Sequence, residues 1–174
     1  NERKPEQPFC FWFGTKEAHR GFEKDSWKKA GRKLEDAVVP PYWPDNASVR
    51  GDLLDYANEV EWIDEQVGNA IQTLEKEGLL DNTLILYILS DNGPSAEGMN
   101  GTISELLAQN SMPSTIEQQL EVLDKKYGGM DALGGPKLDI MYHHGWAFSG
   151  SSPFQSTKLV AAHFGGTRTP LVIS

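Results

Sequence analysis

Three short segments of the chain carry side chains suited to metal binding or to acid–base chemistry. The first, residues 90–93 (SDNG), places a carboxylate and an amide oxygen next to each other on Asp91 and Asn92. Such hard oxygen donors suit Ca²⁺ or Mg²⁺, and Gly93 permits the tight turn that would direct both side chains inward. A simple turn is the alternative interpretation, because Asp, Asn and Gly are common turn residues.

The second and third segments offer a histidine and a lysine. His19 is suited to act as a general acid that protonates a departing alkoxide or phenoxide, and a surface histidine beside Arg20 is the alternative. Lys158 lies in a mostly small and apolar stretch and, with His163, is a candidate for holding an anion. A solvated lysine at the start of a short helix is the alternative. The glycine pair at 165–166 permits close approach of a neighbouring backbone.

The elements that must position these residues follow an α/β pattern. An apolar run over residues 8–13 predicts a buried strand, and a second run over 83–89 predicts another. Between them, residues 49–74 carry an apolar stripe at helical spacing, with Ser48 suited to the N-cap and Gly78 to the C-terminal stop. The order strand, helix, strand predicts a mostly parallel sheet flanked by helices, with ligands outside the carboxyl ends of the strands.

Residues 94–152 interrupt this pattern, since glycine, serine and asparagine are abundant and periodicity is weak. We expect an insertion that lines a substrate pocket, with one modest helix over about residues 115–126. In the preceding helix, Asp64 lies on the apolar stripe, so we expect it to be buried and to tie the helix to a loop. Because the apolar run that begins at Pro170 stops at Ser174, we expect residues 1–174 to be a single, incomplete domain.

Composition limits the classes of partner. The 174 residues are 39% hydrophobic and 24% charged, as in soluble globular proteins. A net charge of -9 argues against a nucleic-acid partner, because phosphate binding requires a basic face. No apolar run reaches the length of a membrane span, and the single cysteine, Cys10, excludes an internal disulfide.

Taken together and in order, the motifs closely resemble type I sulfatases of the alkaline-phosphatase-like superfamily. The resemblance covers nearly the whole chain, and its later part is similar to a bacterial arylsulfatase branch. It is carried by residues 39–45 (VPPYWPD), 50–68 (RGDLLDYANEVEWIDEQVG), 78–84 (GLLDNTL), 90–93 (SDNG), 145–147 (GWA), 152–155 (SPFQ), 157–158 (TK) and 163–168 (HFGGTR).

The resemblance implies a sulfuric ester hydrolase in which a formylglycine, made from cysteine or serine, attacks sulfur beside a Ca²⁺ ion, with Mg²⁺ as the alternative. It implies that Asp91 and Asn92 bind this metal and that His19 contacts the leaving-group oxygen. Lys158 would bind a sulfate oxygen, and we expect His163 to contact substrate as well. The family motif Cys/Ser-x-Pro/Ala-x-Arg is missing from this sequence, as is the first pair of metal-binding aspartates. We therefore expect the chain alone to be inactive and to require the rest of the domain.

Two other functions remain open at this point. A phosphonate or phosphodiester hydrolase of the same superfamily would share the fold, although Asn92 stands where such relatives often carry histidine. A degenerate, non-catalytic module is the other alternative, and the intact His19, Asp91, Asn92 and Lys158 argue against it. The resemblance implies a small-molecule or saccharide sulfate ester as substrate, and a periplasmic, secreted or otherwise extracytoplasmic location.

Overall fold

The computed structural model describes residues 4, 7–89 and 92–174. This part of the chain is mainly helical and contains one pair of short strands. In order, its elements are α1 (Ser26–Lys29), α2 (Ala47–Lys76), β1 (Leu86–Ile88), α3 (Ser104–Gln109), α4 (Ile116–Val122), α5 (His144–Ser151) and β2 (Leu171–Ile173). None of the helices described is both long and apolar enough to cross a membrane.

The long helix α2 confirms the predicted amphipathic helix and corrects its start. The side chain of Asn46 accepts a 3.0 Å hydrogen bond from the backbone N–H of Val49, so Asn46 is the N-cap. Ser48 was the predicted cap, but it already lies in the first turn of the helix. At the other end, Gly78 adopts a φ of 66°, the left-handed conformation that commonly ends a helix, as predicted.

The strand predicted over residues 83–89 is shorter than expected and pairs in the other direction. β1 runs antiparallel to β2, with Leu86 opposite Ile173. Those two side chains are more than half exposed, at 56% and 62%. The expected parallel pairing, buried on both faces, is therefore not found in the described part of the chain. An apolar run reports how much burial a strand favours, but it carries no information about the direction of its partner.

The predicted strand over residues 8–13 does not form in this structure. Phe11 and Trp12 expose 74% and 84% of their surface, and the only sheet among the described residues consists of β1 and β2. A strand is defined by hydrogen bonds to a neighbouring strand, and among the described residues no strand lies beside residues 8–13. Apolar composition alone was therefore insufficient to predict this element.

Residues 94–152 are better ordered than their composition suggests. Thr115 caps α4 by accepting a 3.2 Å hydrogen bond from the N–H of Gln118, and a π-helical turn over Leu123–Tyr127 extends the helix. This confirms the predicted helix, whereas α3 and α5 were not predicted. The principal hydrophobic core also lies in this region and consists of Ile103, Leu107, Val122, Leu123, Leu138 and Ile140.

The buried carboxylate of α2 is Asp55, which ties the helix to the start of α1, and the prediction for Asp64 was wrong. Asp55 is 2% exposed and accepts hydrogen bonds of 2.8–2.9 Å from the backbone N–H groups of Asp25 and Trp27 and from the Ser26 hydroxyl. Asp64 is exposed. The two residues are nine positions apart, which at about 100° per residue places them on opposite sides of the helix. The packed face of α2 is that of Gly51, Leu54 and Asp55.

The contacts of Asp55 lead to a stability prediction. Asp55→Ala should lower the free energy of unfolding by about 2–4 kcal/mol, because it leaves buried donors without an acceptor. Asp64→Ala, the matched change on the exposed side of the same helix, should change it by less than about 0.5 kcal/mol. Urea denaturation of the two variants of the full-length protein measures the difference. Equal losses for both variants would contradict the assignment.

Candidate active site

Lys158 is brought by the fold to the loop that follows residues 90–93. Its ammonium lies 3.2 Å from the Oε2 atom of Glu97, and both side chains are about one-third exposed. Its backbone N–H donates a 3.0 Å hydrogen bond to the carbonyl of Pro94. The segment that carries Lys158 is therefore held by both a side-chain contact and a backbone contact to the residues directly after 90–93.

The same two segments also meet at their glycines. Gly93 has a φ of 80°, and a Cβ atom at this position would lie 2.0 Å from the carbonyl oxygen of Gly165. Gly165 and Gly166 are buried. The prediction that the glycine pair permits close backbone approach is confirmed. Asn92 is half-buried beside this contact, whereas Asp91 lies outside the described residues.

His19 joins this cluster through two fixed neighbours. The Tyr142 hydroxyl donates a 2.6 Å hydrogen bond to the carbonyl of Ala18, next to His19 in the chain. The Tyr142 carbonyl in turn accepts a 2.9 Å bond from the N–H of Gly98, next to Glu97. On the other side of His19, Arg20 forms a 2.8 Å ion pair with Asp52 of α2. The exposed His19 side chain is thus presented from a loop whose backbone is anchored on both sides.

Glu97 is the charged residue at the centre of this arrangement, and sequence reasoning missed it. The hydroxyl of Ser95 and the ammonium of Lys158 both donate hydrogen bonds to its carboxylate and, in that order of effect, lower the pKa of Glu97. A weaker electrostatic contribution from His19 also lowers this pKa. The available signal was a carboxylate five residues beyond the candidate metal donor Asn92.

His163 lies elsewhere. Its exposed side chain lines a shallow pocket with Phe154, Gln155 and Phe164. Its carbonyl accepts hydrogen bonds from the Gly166 N–H and the Thr167 hydroxyl. Among the described residues, no contact joins the His163 side chain to the Glu97–Lys158 pair. Its role in substrate binding stays a prediction.

His143, the residue directly before α5, has a structural role as the cap of this helix. The Nδ1 atom of His143 accepts a 3.0 Å hydrogen bond from the N–H of Gly145, which caps the helix. Burial, and then the neighbouring His144, lower the pKa of His143. A lowered pKa keeps the ring neutral, and only a neutral ring has a nitrogen lone pair that can accept this bond. The Nδ1 atom of His143 therefore serves the helix cap.

A metal would find only part of its ligands in the described residues. Asn92 offers an oxygen donor of the type that Ca²⁺ prefers. No group of three or more His, Cys, Asp or Glu side chains within residues 4, 7–89 and 92–174 is arranged to hold a metal ion. Since Ca²⁺ takes six to eight oxygen ligands, the amide oxygen of Asn92 could supply only one of them.

The cluster can hold an anion and transfer a proton. Lysine carries three N–H donors, so Lys158 can keep its bond to Glu97 and still offer two donors to an anionic group. The exposed side chain of His19 is accessible for donating a proton to a leaving group. These are complementary requirements for cleaving an ester of an oxyacid.

Comparisons with known proteins agree on one family. The family model described as Sulfatase matches residues 1–174. The ulvan-active sulfatase of Formosa agariphila is 39% identical over 56 residues, which are 32% of this chain and 9% of that protein. The human N-sulphoglucosamine sulphohydrolase is 34% identical over 85 residues, which are 49% of this chain and 16% of that protein. The matched segments thus span less than one-fifth of either relative. No solved structure gives a significant match.

Proposed function

This chain belongs to the sulfatase family, and from that premise we propose that it is part of a catalytic domain that hydrolyses sulfate esters. The observation that supports the proposal is the ion pair between Lys158 and Glu97, together with Tyr142, which ties the residue before His19 to the residue after Glu97. These residues are distant in sequence, and the family resemblance assigns complementary roles to the histidine and the lysine. The alkaline-phosphatase-like α/β architecture follows from the family, and we propose that its parallel strands lie outside the pair described above.

The division of labour within the chain follows from side-chain chemistry. Lys158 holds a sulfate oxygen and offsets the negative charge that grows on it in the transition state. His19 donates a proton to the leaving-group oxygen as the sulfur–oxygen bond breaks. Residues 94–152 form one wall of the substrate pocket, with Gly98 held against Tyr142 at its base. His163, on its separate pocket, contacts more distant parts of the substrate.

The remaining components of the site are the metal ion and the nucleophile. Asp91 and Asn92 would contribute two oxygen ligands to Ca²⁺, or alternatively Mg²⁺, which when bound supplies Lewis-acid polarisation of the sulfate group. The formylglycine nucleophile must come from residues outside this sequence, because Cys10 is followed by Phe11 and Trp12 and does not fit the family motif. The 174-residue chain alone would therefore lack activity.

The substrate class that we favour is a sulfated saccharide. The two relatives are named for activity on ulvan and for N-sulphoglucosamine, and these names favour a saccharide over a simple aryl sulfate. We include in the proposal a periplasmic, secreted or otherwise extracytoplasmic location, on the family resemblance.

The test is sulfate release by the full-length protein from a sulfated saccharide, followed by ion chromatography, with the 174-residue chain as the inactive control. Release should stop when a chelator removes calcium and resume when calcium is added back. Full activity after complete chelation, or no release of sulfate from any sulfated saccharide or aryl sulfate, would contradict the proposal.

Asp91→Ala tests the metal assignment. Removal of a carboxylate ligand should weaken calcium affinity and lower turnover together, and excess calcium should partly restore turnover. Calorimetric titration with calcium measures the first effect. The control is Asp81→Ala, ten residues earlier and exposed, which should leave calcium affinity unchanged. Wild-type calcium affinity in Asp91→Ala would show that residues 90–93 are a turn only.

A further inference from the structure

Glu97 occupies a position for which the proposed function does not yet account. It accepts a 3.2 Å hydrogen bond from the Lys158 ammonium, and the two residues are 61 positions apart in the chain. Its carboxylate is itself held from the other side, because the Ser95 hydroxyl donates to the same Oε2 atom and accepts a 3.4 Å bond from the Glu97 N–H. We propose that Glu97 is a positioning residue that aims the ammonium of Lys158 at the sulfate group. The inference rests on the proposed function.

The physical need for such a residue follows from the lysine side chain. Lysine carries a point charge on four flexible methylene groups, and fixing it in one orientation costs rotamer entropy. The hydrogen bond from the Lys158 N–H to the Pro94 carbonyl fixes only the backbone. The Glu97 carboxylate supplies the second point of attachment at the far end of the side chain. An ammonium held in this way is oriented before the substrate arrives.

A carboxylate at this place also has a cost. Glu97 is an acid with a lowered pKa, so it is charged at neutral pH and repels an incoming sulfate. The lysine can hold both groups at once, because one N–H donor faces Glu97 and two remain. Glu97 should therefore weaken the binding of sulfate in the ground state while raising the rate of the chemical step. If Glu97 only supported the loop, its removal would not strengthen the binding of sulfate while slowing the chemical step.

The first part of the test compares the changes in kcat and KM, measured in the full-length enzyme. Glu97→Gln keeps the size of the side chain and removes its charge. We expect kcat to fall by about tenfold, the scale of one lost charge-assisted hydrogen bond, while KM stays level or falls. Inorganic sulfate should inhibit the variant at equal or lower concentration than the wild type. Glu97→Asp should recover part of kcat, because it restores the charge at a shorter reach. A raised KM and weakened sulfate inhibition would mean general damage to the site and would overturn the inference.

A double-mutant cycle gives the second part. If Glu97 acts through Lys158, Glu97→Gln should change kcat by less than about twofold in a Lys158→Ala background. A full tenfold loss in that background would overturn the inference. Glu121→Gln is the matched control, because it removes the carboxylate of another ion pair, with Lys125 on the exposed side of α4, and should leave kcat unchanged. An active wild type with an unaffected Glu97→Gln variant would reject the role of Glu97 alone. A wild type without sulfatase activity would reject the proposed function and this inference with it.

Discussion

Replacing Lys158 by alanine in the full-length enzyme should lower kcat by about two to three orders of magnitude, the usual scale for the loss of one charge-stabilising donor. The family resemblance assigns the partly exposed ammonium of Lys158 to the substrate, not to the metal. Calcium affinity should therefore stay near that of the wild type. Steady-state kinetics with a sulfate ester and calorimetric titration with calcium measure the two quantities on the same preparation.

The control for this variant is Lys125→Ala, which removes a lysine from a comparable ion pair on the surface of α4. It should leave both quantities unchanged. Lys158→Arg should restore little of the lost rate, because a planar guanidinium cannot reproduce the direction of the three ammonium donors. A Lys158→Ala enzyme that keeps its turnover within about threefold of the wild type, or that loses calcium affinity, would contradict the assignment.

Removing His19 should have an effect that depends on the leaving group. A general acid contributes about 10²–10⁴-fold where the departing oxygen needs a proton, so His19→Ala should slow the hydrolysis of a saccharide or alkyl sulfate to that extent. An activated aryl sulfate leaves without full protonation and should slow by less than about tenfold. The ratio of kcat/KM for a poor and a good leaving group measures this difference directly.

His144→Ala is the matched control, because His144 is an exposed histidine whose backbone N–H donates a 3.1 Å hydrogen bond to the Met99 carbonyl, and the substitution keeps this bond. The ratio of the two rates should be unchanged in this variant. Equal slowing of both substrates by His19→Ala would indicate that His19 contributes to binding or to loop structure. The role of general acid would then have to be reassigned.

Much of the local structure could be predicted from residue spacing. The helix α2, its stop at Gly78 and the helix that begins after Thr115 all follow from short-range rules of periodicity and capping. A close backbone approach at the glycine pair 165–166 was also predicted, because only glycine permits it, and the structure shows such an approach between Gly93 and Gly165. Family membership was predicted from ordered motifs along the chain, and the match over residues 1–174 confirms it.

The predictions that were wrong concerned contacts between distant parts of the chain. The apolar runs over residues 8–13 and 83–89 report a tendency to be buried, but pairing needs a partner whose direction is set elsewhere. Asp64 lies on the apolar stripe of α2, yet the face that packs is that of Asp55, because the start of α1, residues 25–27, meets the helix there.

The identities of His19, Asp91, Asn92 and Lys158 as candidates were determined by the sequence alone, since side-chain chemistry and local spacing are properties of a linear chain. Their grouping was not. Only the tertiary structure places Lys158 against Glu97 and ties the loop that carries His19, through Tyr142, to the residue after Glu97. Because Glu97 and Lys158 are separated by 61 residues, their contact depends on how every intervening element folds, and no local rule of propensity or capping extends that far.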